Sequence, residues 1–91
     1  MSEYFYEIKL FIAGNGPNSK KAVDDLNSVL KEKFGDDFVL EIVNVFENPI
    51  EAEEEGVFAT PTAKKVSPKP VKKVIGDLSN KKKVLDGLNL K

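Results

Sequence analysis

Two apolar strand patterns with one amphipathic helix between them fill residues 4–46, and they leave this chain few folds to choose from. Residues 4–12 alternate with a period of two. Tyr4, Tyr6, Ile8, Leu10 and Ile12 share one face, and Phe5, Glu7, Lys9 and Phe11 share the other. Ala13-Gly14-Asn15-Gly16-Pro17 reads as a turn, with glycines for positive φ. The helix that follows carries Ala22, Val23, Leu26, Val29, Leu30 and Phe34 as one stripe. Asn18 or Ser19 is its expected N-cap. Asp24 and Asp25 lie toward its positive end, Lys31 and Lys33 toward its negative end, and Gly35 is its stop. Phe38 to Phe46 is nearly all apolar and β-branched, which predicts a strand buried on both faces in a parallel sheet. Strand–helix–strand over about 40 residues is a βαβ unit with a right-handed crossover.

Asn48-Pro49 opens a short helix, with an N-cap, proline at the first helical position and acids at Glu51, Glu53, Glu54 and Glu55; Gly56 ends it. Val57 to Val66 and Lys69 to Leu78 read as two short strands around Ser67-Pro68, a hairpin with a proline-marked bend. Ser79 is the expected cap of a last helix with Val84, Leu85 and Leu88 as its apolar side, and Gly87 weakens that helix by about 1 kcal/mol relative to alanine. Leu88-Asn89-Leu90 fits a strand as well, and Lys64-Lys65-Val66 and Lys72-Lys73-Val74-Ile75 fit either state. The first half is locally consistent and the second is frustrated.

With 91 residues, one domain spanning 1–91 is expected, with one modest core and no room for a deep cavity. Cysteine and histidine are absent, which excludes disulfides, thiol redox chemistry, Cys/His zinc sites and a histidine general base. No apolar run approaches the roughly 20 residues of a membrane span, and Met1-Ser2-Glu3-Tyr4 lacks a signal layout, so a cytoplasmic protein with no membrane partner is expected. Residues 1–55 carry five lysines against thirteen acids, and residues 56–91 nine lysines against two. Folding either evens this out or leaves a bipolar surface for a charged partner. There is no arginine to supply bidentate forks to guanine or phosphate, so no nucleic-acid partner is expected.

Gly14-Asn15-Gly16-Pro17-Asn18-Ser19 joins a strand to a helix, where free N–H groups can hold an anion, but it matches neither Gly-x-Gly-x-x-Gly nor a P-loop. It is similar to the Cys-Gly-Pro-Cys loop of thioredoxins. Asn15-Gly16-Pro17-Asn18 keeps the turn and lacks both sulfurs, so thiol exchange is excluded. Ala59-Thr60-Pro61-Thr62 resembles the cis-proline segment of the same fold and makes Pro61 a cis candidate. Helical spacing places Glu51 near Glu54 and Glu55 on a solvent face, which outweighs an acid/base or metal reading. Lys64, Lys65, Lys69, Lys72 and Lys73 form either a solvated strand face or a contact patch for an acidic partner. No carboxylate pair stands in an obvious cleft.

Leu10 to Ser19, Asn48-Pro49 with Ala52-Glu53-Glu54, Ala59 to Thr62, Val74 to Ser79, Val84-Leu85 and Gly87-Leu88 together resemble the KaiB family, over residues 5–90. The resemblance implies a non-enzymatic protein without cofactors. It implies two folds, a tetrameric ground state and a monomeric thioredoxin-like βαβαββα form. The second binds the N-terminal ATPase ring of KaiC and then sequesters KaiA; a related domain begins the histidine kinase SasA. Carried over by position, partner contacts fall on Asn48, Pro49, Ile50, Lys65, Lys72 and Lys73, the last two replacing arginines usual in the family. Gly56 stands where the family usually has lysine. The family's Gly-Leu-Asp, linked to the balance between folds, is Gly87-Leu88-Asn89 here. The chain stops at Lys91 without the family's Leu-Tyr and acidic tail, and Pro68-Lys69-Pro70 is less apolar than usual. These departures favour the thioredoxin-like monomer over a tetramer or dimer. The expected partners are a KaiC-like ATPase, with KaiA or a histidine kinase as further ones. The competing expectation is a stand-alone thioredoxin-like interaction module, similar to the kinase sensor domain, in stress or light signalling.

Overall fold

In the computed structural model, which describes residues 5–90, strand β1 (Tyr6–Ile12) is hydrogen-bonded on both sides. On one side β2 (Phe38–Asn44) runs parallel to it, from Tyr6 beside Phe38 to Ile12 beside Asn44. On the other, β3 (Thr62–Ser67) runs antiparallel, and β4 (Lys72–Ile75) pairs antiparallel with β3. The order β2-β1-β3-β4 and the sequence of elements β1, α1 (Pro17–Phe34), β2, α2 (Pro49–Glu54), β3, β4, α3 (Lys81–Gly87) give a thioredoxin-like α/β fold. Tyr4, expected in the first strand, lies outside the described residues, and Phe5 precedes the strand.

Two layers cover the sheet. On one face Ile8, Leu10, Ile12, Ala63 and Val74 meet Ala22, Leu26, Val29 and Leu30 of α1 and Val84 and Leu88 at α3. Leu10, Leu26, Leu30, Val84 and Leu88 are fully buried, each contributing about 2 kcal/mol relative to an exposed side chain. The rings of Tyr6 and Phe34 stack 4.0 Å apart and tie the end of α1 to the start of β1. On the opposite face Phe11, Val43 and Ala52 form a smaller cluster under α2.

Several local expectations change. β2 is an edge strand rather than one buried on both faces: Val39 is 48% exposed, Ile42 is 40% exposed, and Glu41 faces solvent. It ends at Asn44, because Asn44 Oδ1 accepts the N–H groups of Gly14 and Phe46 and turns the chain. Helix α1 starts at Pro17 with Gly16 as its N-cap and no side-chain cap, since proline needs no donor partner at N1; Asn18 and Ser19 are already helical. Its first turn therefore holds no acid, and Asp24 and Asp25 lie further along. Gly35 stops it as expected, at φ +62°, its N–H donating to Lys31 O. The two hairpin strands are shorter than expected, and residues 57–61 are a loop. Asn80, not Ser79, caps α3, its Oδ1 accepting Lys83 N–H at 3.0 Å. The bonds before Pro61, Pro68 and Pro70 are all cis.

The strand alternative for residues 88–90 is not adopted. Asn89 sits at φ +55°, its N–H donates to Asp86 O, and Leu90 N–H donates to Leu85 O. That pair of bonds is a Schellman motif, which satisfies the last carbonyls of α3 and buries Leu90. Gly87, the last residue of α3, lies against Val74: a Cβ there would fall inside the Val74 Cγ2 methyl. Gly87→Val should lower the stability of this form by about 1–3 kcal/mol, read as a lower urea midpoint; an unchanged midpoint would mean that α3 does not close on β4.

Candidate functional site

The turn after β1 sets one candidate region. With Pro17 at the first helical position, Asn18 and Ser19 come to lie in the first turn of α1, opposite Thr60-Pro61. Pro61 O accepts Gly76 N–H at 2.9 Å, which pins the proline loop to the end of β4. Between these segments runs an open groove of about 490 Å³, floored by Ile12, Ala22 and Leu78 and rimmed by Asn18, Ser19 and Thr60. It also holds two carboxylates, Asp25 and Asp77, where no such pair was expected. Lys21 Nζ donates to Asp25 at 2.6 Å. The Asp77 carboxyl is held below the usual carboxylate range by the N–H of Ser79, 2.9 Å away. Asp25 is ion-paired, and Asp77 is stabilised in its charged form, the opposite of what a general acid needs. Asn15-Gly16-Pro17-Asn18 carries no sulfur, so the groove offers shape and hydrogen bonds rather than thiol chemistry.

The second region is α2 and what holds it. Asn48, Pro49 and Ile50 open the helix and are exposed, Ile50 at 72%. Asn48 stands at the N-cap but makes no capping bond; its Nδ2 donates instead to Asn44 O at 3.1 Å. Only Ala52 of the helix is buried. The rest of its anchorage is ionic. Glu55 Oε2 accepts Lys9 Nζ at 2.5 Å, Glu55 Oε1 accepts Lys64 Nζ at 2.7 Å, and Lys9 also reaches Glu51 at 3.1 Å. Lys73 Nζ donates to Glu55 O at 2.8 Å, at the chain reversal where Gly56 takes φ +72°. Lysines from three strands thus converge on the end of one six-residue helix. The solvent-face expectation for the acids fails at Glu51 and Glu55, and the wet-face reading fails at Lys64, because α2 lies over the sheet. Lys9 on a strand face shared with Phe11, and Glu51 and Glu55 four apart, were the sequence signals for it.

The three carried-over lysines do not form one patch. Lys65 is 2% exposed on the α1/α3 face, its Nζ 3.4 Å from Asn89 O. This joins it to the segment of Gly87 and Asn89. Lys72 is exposed on that same face, and Lys73 is on the α2 face, because neighbours along a strand alternate.

Burial pushes the Glu55 carboxyl up, but hydrogen bonds from Lys64 and Lys9 outweigh it and leave the group below its ordinary value of 4.5. Hydrogen bonding to Glu55 chiefly raises Lys9 above 10.5, against the opposing effect of burial. A depressed carboxylate stabilises the fold above its unfolded pKa and loses that contribution as pH falls through the folded one. A raised lysine stabilises below its unfolded pKa and loses it as pH rises through the folded one. Glu55→Gln should therefore cost about 2 kcal/mol at neutral pH and flatten the fall in stability below about pH 4.5, in urea titrations across pH. A variant as stable as the parent at pH 7 would remove the ionic anchor from the account of α2.

Residues 9–90 match the family model described as the KaiB domain. The "Circadian clock oscillator protein KaiB" of Thermostichus vulcanus is 49% identical over 85 residues, covering 93% of this chain and 79% of that protein. The protein of the same name from a Cyanothece species is 48% identical, covering 93% and 81%. Among solved structures, the N-terminal domain of Synechococcus elongatus SasA superposes with a TM-score of 0.79 at 20% identity, covering 100% of this chain and 90% of that domain. Mitochondrial thioredoxin 3 of Saccharomyces cerevisiae superposes at 0.71 with 22% identity, covering 96% and 79%. Those two likenesses bear on the fold alone.

Proposed function

Because this chain belongs to the KaiB family of circadian clock proteins, we propose that it is a non-enzymatic adaptor that binds the N-terminal ATPase ring of a KaiC-family protein and regulates circadian or related signalling. The observation that carries this reading is the presentation of α2. Asn48, Pro49 and Ile50 project from a helix that is clamped to the sheet at its other end by Glu55, Lys9 and Lys64. An exposed turn on a rigid base loses little freedom on docking. The groove adds no catalytic arrangement, and a loop with asparagines at both thiol positions has no electrons to exchange.

Function here is a binding free energy coupled to a conformational population. The thioredoxin-like form is taken as the resting, monomeric state in dilute solution. When the competent form already dominates, the penalty for selecting it disappears and binding follows simple one-step kinetics. Lys73 supplies positive charge on the α2 face, Lys72 supplies it on the opposite face of the sheet, and Lys65 acts through the segment it supports. KaiA or a histidine kinase is a further partner in this reading. The likeness to the SasA domain favours one alternative, a stand-alone sensor-like module that docks on another signalling protein.

Mixing the chain with its host's KaiC-family protein, with and without ATP, should yield a complex on size-exclusion chromatography, and Ile50→Asp should weaken it at least about tenfold. No complex in either nucleotide state would overturn the partner assignment. In an insulin-reduction assay the chain should show no turnover, and any turnover would overturn the non-enzymatic reading.

A further inference from the structure

We propose that the two open edges of the sheet are the two halves of one contact, through which copies of this chain associate head to tail. Among the described residues β2 and β4 each pair on one side only, so each leaves a row of backbone donors and acceptors unpaired. The edges are opposite in charge. Asp36, Asp37, Glu41 and Glu47 are exposed in and around β2; Lys69, Lys72 and Lys73 are exposed in and around β4. Each edge also shows apolar side chains to solvent, Val39 and Ile42 on one and Val71 and Ile75 on the other.

Strand direction makes the two edges compatible. β2 runs with β1, β3 against β1, and β4 against β3, so β4 runs with β2. A second copy that continues the sheet in the same orientation sets β4 of one molecule beside β2 of the next as a parallel pair. The register already present says which side chains share a face. Glu41 stands beside Lys9, Lys9 beside Lys64 and Lys64 beside Lys73, all on the α2 face. Aligning Lys73 with Glu41 of the next copy puts Ile75 beside Val43 and Val74 beside Ile42. Lys73 then meets opposite charge and Val74 and Ile75 meet apolar side chains, while Lys72, beside Leu40, projects on the other face. Pairing β2 with β2, or β4 with β4, instead brings two acidic or two basic edges together, which is disfavoured.

The partner is therefore a second copy, and the contact is heterologous: it uses different surfaces on the two molecules and extends rather than closing at two. β4 offers only four residues, which places the contact at the weak end of protein association. It is also sensitive to salt, since the charges are at the surface.

Sedimentation velocity of the full chain from about 10 μM to about 1 mM tests this. In low salt the weight-average mass should climb past two copies without a plateau, and in about 0.5 M salt it should return to one copy. Glu41→Lys and Lys73→Glu should each weaken association at least about tenfold. Mixing the two variants should restore it, because each then offers the edge the other needs. If circular dichroism shows that Lys73→Glu disturbs α2, Ile75→Asp takes its place as the β4-edge variant and is read by loss of association alone. A chain that stays at one copy in all conditions, a mass that levels at two copies, or a mixture no better associated than its components would overturn the proposal.

Discussion

A strand that is paired on both edges and covered on both faces has to satisfy everything it carries, and β1 is that strand. Leu10 and Phe11, adjacent in sequence, are both fully buried, one under α1 and the other under α2. Between Ile8 and Leu10 sits Lys9, a cation on a mostly covered surface. A counter-charge stabilises an ammonium there, and hydrogen bonding to Glu55 outweighs the opposing effect of its burial. Glu55 and Glu51 provide it, and with Ala52 packed against Phe11 and Val43 they hold α2 on this face.

The same sheet leaves its charge at the margins. Asp36, Asp37, Glu41 and Glu47 lie in and around β2 and Lys69, Lys72 and Lys73 in and around β4, and the order β2-β1-β3-β4 places those strands at opposite edges. Folding therefore neutralises some of the asymmetry, at Lys9, Lys64 and Glu55, and keeps the rest as a bipolar surface. A bipolar sheet with open edges is suited to docking, both on a larger partner and on its own copies.

Conformational restraint at the C-terminal end comes from small geometric details. Gly87 gives Val74 room, Asn89 adopts the left-handed conformation that ends α3, and Lys65 reaches the Asn89 carbonyl from the sheet. These contacts are few and local. In a segment held by so few contacts, modest changes are enough to shift a conformational population.

Residue pattern alone determined the βαβ unit, the position of α2, the stop signals at Gly35 and Gly56, and the absence of thiol chemistry; resemblance supplied the family. Periodicity and turn chemistry are local, and a missing side chain type is absolute. What the pattern could not give was layer and neighbour. Phe38 to Asn44 is apolar enough for a central strand yet lies at an edge, and Lys9 and Lys64 look solvated yet are bonded under a helix. Those outcomes depend on strand order and on partners distant in sequence, 42 and 46 positions away for Lys9 and 9 for Lys64, which only the packed tertiary structure brings within a few ångströms.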